Sequence, residues 1–262
     1  LRDAGFDITA WNRDTRRADP LRAHGVAVAA SPAEAVARAE AVIVNVAGAE
    51  AVHDILLGAG DAAAHIDPST VVLQMSTIGP EATARLARAL PEAVRLLDAP
   101  VKGSTPAVLA GTLGLLIGGS DDDIAAARPV LDALGTVVHC GEVGAGAAAK
   151  LLVNAALIAS VTSLAEVAAV AEGLGIDEDQ RVELLGATPL AGVLASYTGT
   201  GGNFPVYLAA KDLHLAVRSA AGEVPALRAM ADTLDAAASE PDKGLWTVAE
   251  HLRPAPDKGD NA

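Results

Sequence analysis

A lysine and an amide stand one helical turn apart in the run Gly144-Ala-Gly146-Ala-Ala-Ala-Lys150-Leu-Leu-Val-Asn154. Residues four apart share a helix face, so Lys150 and Asn154 make a polar pair inside an apolar stretch that continues to Glu172. A helix apolar on most sides is usually buried. Burial and the positive end of the helix dipole both disfavour an ammonium group, which brings a lysine toward the range useful for proton transfer. Two readings of Lys150 stand at this point. It is either such a tuned acid/base or a surface lysine whose stem covers apolar neighbours.

The elements that must position this pair alternate in the first half of the chain. Phe6–Trp11, Ala41–Val46, Thr70–Ser76, Val94–Val101, Leu113–Gly119 and Thr136–Cys140 are short strand-like runs. Helical patterns at Arg16–His24, Ser31–Ala39, Pro80–Leu90 and Asp121–Leu134 lie between them. Such alternation predicts an α/β fold with a doubly wound, mostly parallel sheet. From Gly144 onward the pattern is helical, with one long helix and shorter ones broken at Gly173/Gly175, Pro189, Thr198–Gly202 and Pro225. We therefore expect one domain over 1–142, an all-α domain over 143–254 and a polar tail over 255–262, with Lys150 at the domain seam.

In parallel sheets ligands bind beyond the carboxyl ends of the strands. Those ends read Asn12-Arg13, Asn45-Val46-Ala47, Ser76-Thr77 and Lys102-Gly103-Ser104. An arginine such as Arg13 suits a 2′-phosphate, where an acid would suit a free ribose hydroxyl; it is equally an ordinary loop arginine. A dinucleotide site of this type begins with a strand and a glycine-rich turn. Here the chain opens on Leu1-Arg-Asp-Ala-Gly5, which reads as a helix end with its glycine cap. We expect a sequence truncated by about one βα unit, its first strand and glycine loop missing, with correspondingly weak cofactor binding. Gly144-Ala-Gly146-Ala-Ala-Ala149 imitates a dinucleotide fingerprint, but no second strand ending near an acid follows it.

Composition narrows the partners. The 262 residues are 51% hydrophobic yet only 2% aromatic, so small aliphatic side chains build the core. A formal net charge of −14 leaves no basic stripe for nucleic acid or an anionic membrane. One cysteine, Cys140, allows no internal disulfide and suits a cytoplasmic setting. No uncharged apolar run is expected to span a bilayer. His53, His65, His139 and His214 lack metal-ligand spacing, so no metal is expected. Asp121-Asp122-Asp123 reads as a helix start, and Cys140 as a small buried filler.

Four separated motifs give these features a family likeness. Trp11-Asn12-Arg13, Ser76-Thr77-Ile78-Gly79-Pro80, Asp98-Ala99-Pro100-Val101-Lys102-Gly103-Ser104 with Gly111-Thr112-Leu113, and Gly144–Asn154 followed by Lys211-Asp212-Leu213 resemble the β-hydroxyacid dehydrogenase family. The resemblance covers about Leu1 to Pro254. It implies a Rossmann-like domain followed by an all-α domain with a long central helix. It also implies NADP(H), preferred over NAD(H) because of Arg13, a small anionic substrate, and a homodimer or homotetramer.

By the same resemblance, Lys150 is the general acid/base and Asn154 orients the substrate. Asn12, Arg13, Val46, Ala47, Thr77 and Lys211 serve the cofactor. Lys102, Gly103 and Ser104 hold the substrate carboxylate, through the Lys102 side chain or through backbone amides alone. The family usually carries Ser-Gly-Gly at Lys102-Gly103-Ser104 and Leu-Pro at Val46-Ala47. Imine reductases, the related alternative, usually replace the catalytic lysine. A non-catalytic binding or oligomerisation module is the reading outside enzymes.

Overall fold

The structure, a computed structural model, describes residues 1–194, 204–238 and 243–248. The expected break at Thr198–Gly202 and the tail from Pro254 lie outside the described residues. The chain divides into two compact units, Leu1–Gly103 with Ala107–Lys150 and Ser104–Pro106 with Leu151–Ala262. The division falls between Lys150 and Leu151, inside the long helix, where the sequence reading set it at 142/143.

The first unit is an α/β fold with a mostly parallel sheet. Its strands are β1 (Thr9–Ala10), β2 (Ala27–Val28), β3 (Ala41–Val44), β4 (Val71–Gln74), β5 (Arg95–Asp98), β6 (Val101–Lys102), β7 (Leu113–Gly118) and β8 (Gly135–Gly141). β3, β4 and β5 pair in parallel, and β7 and β8 do likewise. β7 meets β5 and β6 antiparallel. β1 and β2 form a separate two-stranded parallel sheet. The run expected as one strand over Val94–Val101 is divided at Pro100, which has no N–H for a ladder. Its carbonyl still accepts the Leu116 N–H at 3.0 Å.

β4 is buried along its whole length. Val72 joins a core with Val42, Val44, Leu96 and the apolar faces of helices α3 (Ala49–Leu56) and α4 (Pro80–Ala89). Val71 and Leu73 join Leu97, Leu115 and Ile117 against α6 (Asp121–Leu134). Burial on both faces is why these strands read as continuous aliphatic runs. α6 starts as expected. Ser120 Oγ accepts the Asp123 N–H at 3.1 Å, and the three aspartates fill the first turn. α1 (Thr15–Ala18) gives way to a 3-10 segment, Asp19–His24, and α2 is Pro32–Val36 under the Ser31 cap. Gly5, at φ 90, caps a short 3-10 turn, Arg2–Ala4. Cys140 is half-exposed on β8, not buried, because β8 is the last strand beside β7.

The long helix α7 runs unbroken over Ala145–Gly173. In the second unit its Ile158, Val161 and Ala165 pack with α9 (Val206–Ser219) and α10 (Pro225–Ala237). Helices α5 (Thr105–Ala110) and α8 (Glu178–Gly186) are the other α-helices among the described residues. One expectation for α7 needs correction. It is not buried all round, since Leu152 is 74% exposed and Val170 61%. It is also long and apolar enough to cross a membrane by length and composition. Its buried face makes it a core helix of the second unit, for which apolar residues are equally required.

Candidate active site

In the first unit, strand register brings the expected loops to one edge. Val44 pairs with Gln74, and Gln74 with Asp98, so β3, β4 and β5 end level. Beyond β3 come Val46 and Ala47, and beyond β4 come Ser76 and Thr77. A buried network ties the two loops together. Ser76 Oγ accepts the Val46 N–H at 2.8 Å. The Gln74 side chain clamps Ser76, with Nε2 donating to Ser76 O at 3.0 Å and Oε1 accepting its N–H at 2.6 Å. Buried amides demand such partners, so this network holds the loop backbone in place.

Beyond β1, Asn12 braces the turn, its Oδ1 accepting the Asp14 N–H at 2.9 Å. Asp14 in turn pairs with Arg16 at 2.9 Å, and that hydrogen bond holds its carboxyl below the usual range. Arg13 is exposed and pairs with none of the described carboxylates. An exposed guanidinium suits an anionic group, and small residues at the level ends of β3 and β4 leave room for a nucleotide.

Lys102, expected beyond the end of a strand, instead ends β6 opposite Gly114. Cross-strand pairing with β7 extends the strand through it. Its side chain is exposed. Gly103 follows at φ 136, a conformation open to glycine, and Ser104 leads into α5.

Asp98, at the end of β5, is fully buried. Its Oδ1 accepts the Gly144 N–H at 2.7 Å and its Oδ2 the Ala147 N–H at 2.6 Å. Burial pushes this carboxyl up to about 6, against the lowering effect of those amides. The glycines that imitated a phosphate loop are therefore occupied with a carboxylate and with close packing. A Cβ on Gly146 would collide with Leu116 O. Lys150, one turn further on, is half-buried, between the two settings the sequence left open.

In the second unit, Asn154 is buried and its Nδ2 donates to Asp212 Oδ2 at 2.6 Å. Lys211 Nζ lies 2.9 Å from the other oxygen of the same carboxylate. Asp212 thus holds its neighbour Lys211 and, across 58 residues of sequence, Asn154. Sequence reasoning assigned no role to Asp212, Asp98, Gln74 or Ser76. The available signal was a polar residue at a position whose neighbours are apolar, as in Leu96-Leu97-Asp98-Ala99.

Residues 1–144 match the family profile of the NAD binding domain of 6-phosphogluconate dehydrogenase. The chain is 31% identical over 236 residues to an NAD-dependent L-serine dehydrogenase of Pseudomonas aeruginosa, covering 84% of this chain and 79% of that protein. It is 30% identical over 212 residues to the mitochondrial 3-hydroxyisobutyrate dehydrogenase of Mus musculus, covering 75% of this chain and 63% of that one. The solved 3-hydroxyisobutyrate dehydrogenase of Mycobacterium tuberculosis with L-serine superposes at a TM-score of 0.83 and 28% identity, over 97% of this chain and 93% of that one.

Proposed function

This chain belongs to the β-hydroxyacid dehydrogenase family of NAD(P)-dependent oxidoreductases, and from that membership we propose that it interconverts a small β-hydroxyacid and its semialdehyde. The observation that carries the reading is the α7 helix, with Lys150 and Asn154 one turn apart and Asn154 held by buried Asp212. The nicotinamide cofactor, when bound, supplies or receives the hydride.

Lys150 gives its ammonium proton to the carbonyl oxygen during reduction and takes the hydroxyl proton during oxidation. Asn154 has one amide proton committed to Asp212, which fixes the amide plane. Its second N–H and its Oδ1 remain to orient the substrate oxygen. Lys211 is restrained by the same carboxylate and serves the nicotinamide end. Asn12, Val46, Ala47 and Thr77 line the cofactor, and Arg13 selects NADP(H) through its 2′-phosphate. The segment Lys102-Gly103-Ser104 holds the substrate carboxylate.

The same proposal includes a homodimer or homotetramer, supported by the exposed Leu152, Val170 and Leu174 on and just after α7. It also includes a cytoplasmic location, supported by the half-exposed thiol of Cys140. The test is oxidation of L-serine and 3-hydroxyisobutyrate with NADP⁺ and NAD⁺, followed by absorbance of the reduced cofactor. Turnover of either acid, faster with NADP⁺, is expected. No turnover of any short β-hydroxyacid with either cofactor would refute it.

A further inference from the structure

We infer that Asp98 is a positioning residue for the reaction, its buried carboxylate holding the first turn of α7 and so setting where Lys150 presents its amine. The inference rests on the reading of Lys150 as the acid/base. The first amides of a helix have no partner within it. Asp98 satisfies two of those at the start of α7, from Gly144 and Ala147, across 46 and 49 residues of sequence. Its negative charge also matches the positive helix end.

The seat is shaped for this group. A Cβ at Gly118 would collide with Asp98 Oδ1, and one at Gly146 would lie 2.7 Å from Asp98 O. Lys150 follows Ala147 by three residues and Gly146 by four, so it shares their face. Helical side chains lean toward the N-terminus, which directs the Lys150 stem over the turn that Asp98 grips. A misplacement of ~1 Å in such a group costs ~10²-fold in rate.

Other titratable groups near this turn are His139 and Cys140 on β8, Glu142 before α7, and Lys150 itself. His139 Nε2 lies 3.0 Å from Gly119 O and 3.1 Å from Gly141 O. The Asp98 carboxyl, up to about 6 through burial, therefore titrates where enzyme assays are feasible.

The test compares Asp98→Asn, Asp98→Ser and Lys150→Ala in the full chain, using NADPH and a short semialdehyde. Both Asp98 variants should lower reductive kcat by ~10-fold or more, with NADPH affinity by fluorescence within about threefold of wild type. The alkaline fall in rate, where Lys150 loses its proton, should shift in pH as the displaced amine meets different surroundings. Lysine side-chain NMR should show the same displacement without turnover, which a merely structural role would not produce. In the wild type, reductive kcat should fall as pH drops through about 6, and His139→Gln should keep that fall. Unchanged kcat and an unmoved alkaline limb in the Asp98 variants, with Lys150→Ala inactive, overturn the inference alone. An active Lys150→Ala overturns the reading of Lys150 and the inference with it. If neither Asp98 variant folds, the wild-type profile decides, and a rate flat between about pH 5 and 7 overturns the inference.

Discussion

Asn154 and Asp212 form a buried hydrogen bond of 2.6 Å that joins α7 to α9 and leaves the other Asp212 oxygen 2.9 Å from Lys211 Nζ. One carboxylate thus orients an amide and a cation at once. Asp212→Ala would strand the Asn154 amide in the core, at a cost of ~1–3 kcal/mol. Urea unfolding should show that loss, and kcat/KM should fall by ~10-fold or more as Asn154 and Lys211 lose orientation. Activity retained in a destabilised variant would confine Asp212 to folding.

Lys150→Ala should reduce kcat by ~10²–10⁴, the contribution of a positioned acid/base. Fluorescence titration should give nearly unchanged NADPH affinity, because the proposed role is proton transfer. Rates within about threefold of wild type would remove Lys150 from the chemistry.

Arg13 is exposed with no carboxylate among the described residues to neutralise it. Arg13→Asp should narrow or reverse a preference for NADPH over NADH, because the guanidinium–phosphate bond is charge-assisted and NADH lacks the phosphate. Equal kcat/KM for the two cofactors in the unmutated chain would sink this assignment.

Gly146 has no room for a side chain, a Cβ there meeting Leu116 O and Asp98 O. Gly146→Ala should destabilise by ~1–3 kcal/mol or more, since both obstacles are backbone in a packed sheet. Gly173→Ala, with open space around the added carbon, is the control. Equal melting temperatures for the two variants would contradict the close packing.

Asp98 makes stability depend on pH with a definite sign. Its folded value of about 6 lies above the ordinary 3.8. The native state therefore holds more protons than the unfolded chain between those values, and stability from this group falls as pH rises through them. The full effect is ~3 kcal/mol at 1.36 kcal/mol per unit. Relative to wild type, Asp98→Asn should gain stability between about pH 4 and 7. Chemical denaturation of both proteins checks this, and a constant difference across that range would rule it out.

Features encoded by neighbouring residues were legible in the sequence. The limits of α6 follow from Ser120, three first-turn aspartates and Gly135, all within reach of their own helix. The polar ends of β3 and β4 were legible because apolar runs stop there. Helix α3 has no start signal in the sequence because Gly48 supplies no side-chain cap, although Val52 and Leu56 stand four apart on its buried face. The sequence also determined that Lys150 and Asn154 lie one turn apart, since helix geometry alone requires it. Only tertiary structure decided what holds the first turn of α7 and the amide of Asn154. Asp98 meets Gly144 across 46 residues and Asp212 meets Asn154 across 58. Only tertiary structure placed Lys102 in a strand, because that depends on β7 lying alongside. Local patterns report what a residue prefers; the partner that satisfies a buried polar group is chosen by folding, because burial makes an unpaired group too costly to leave.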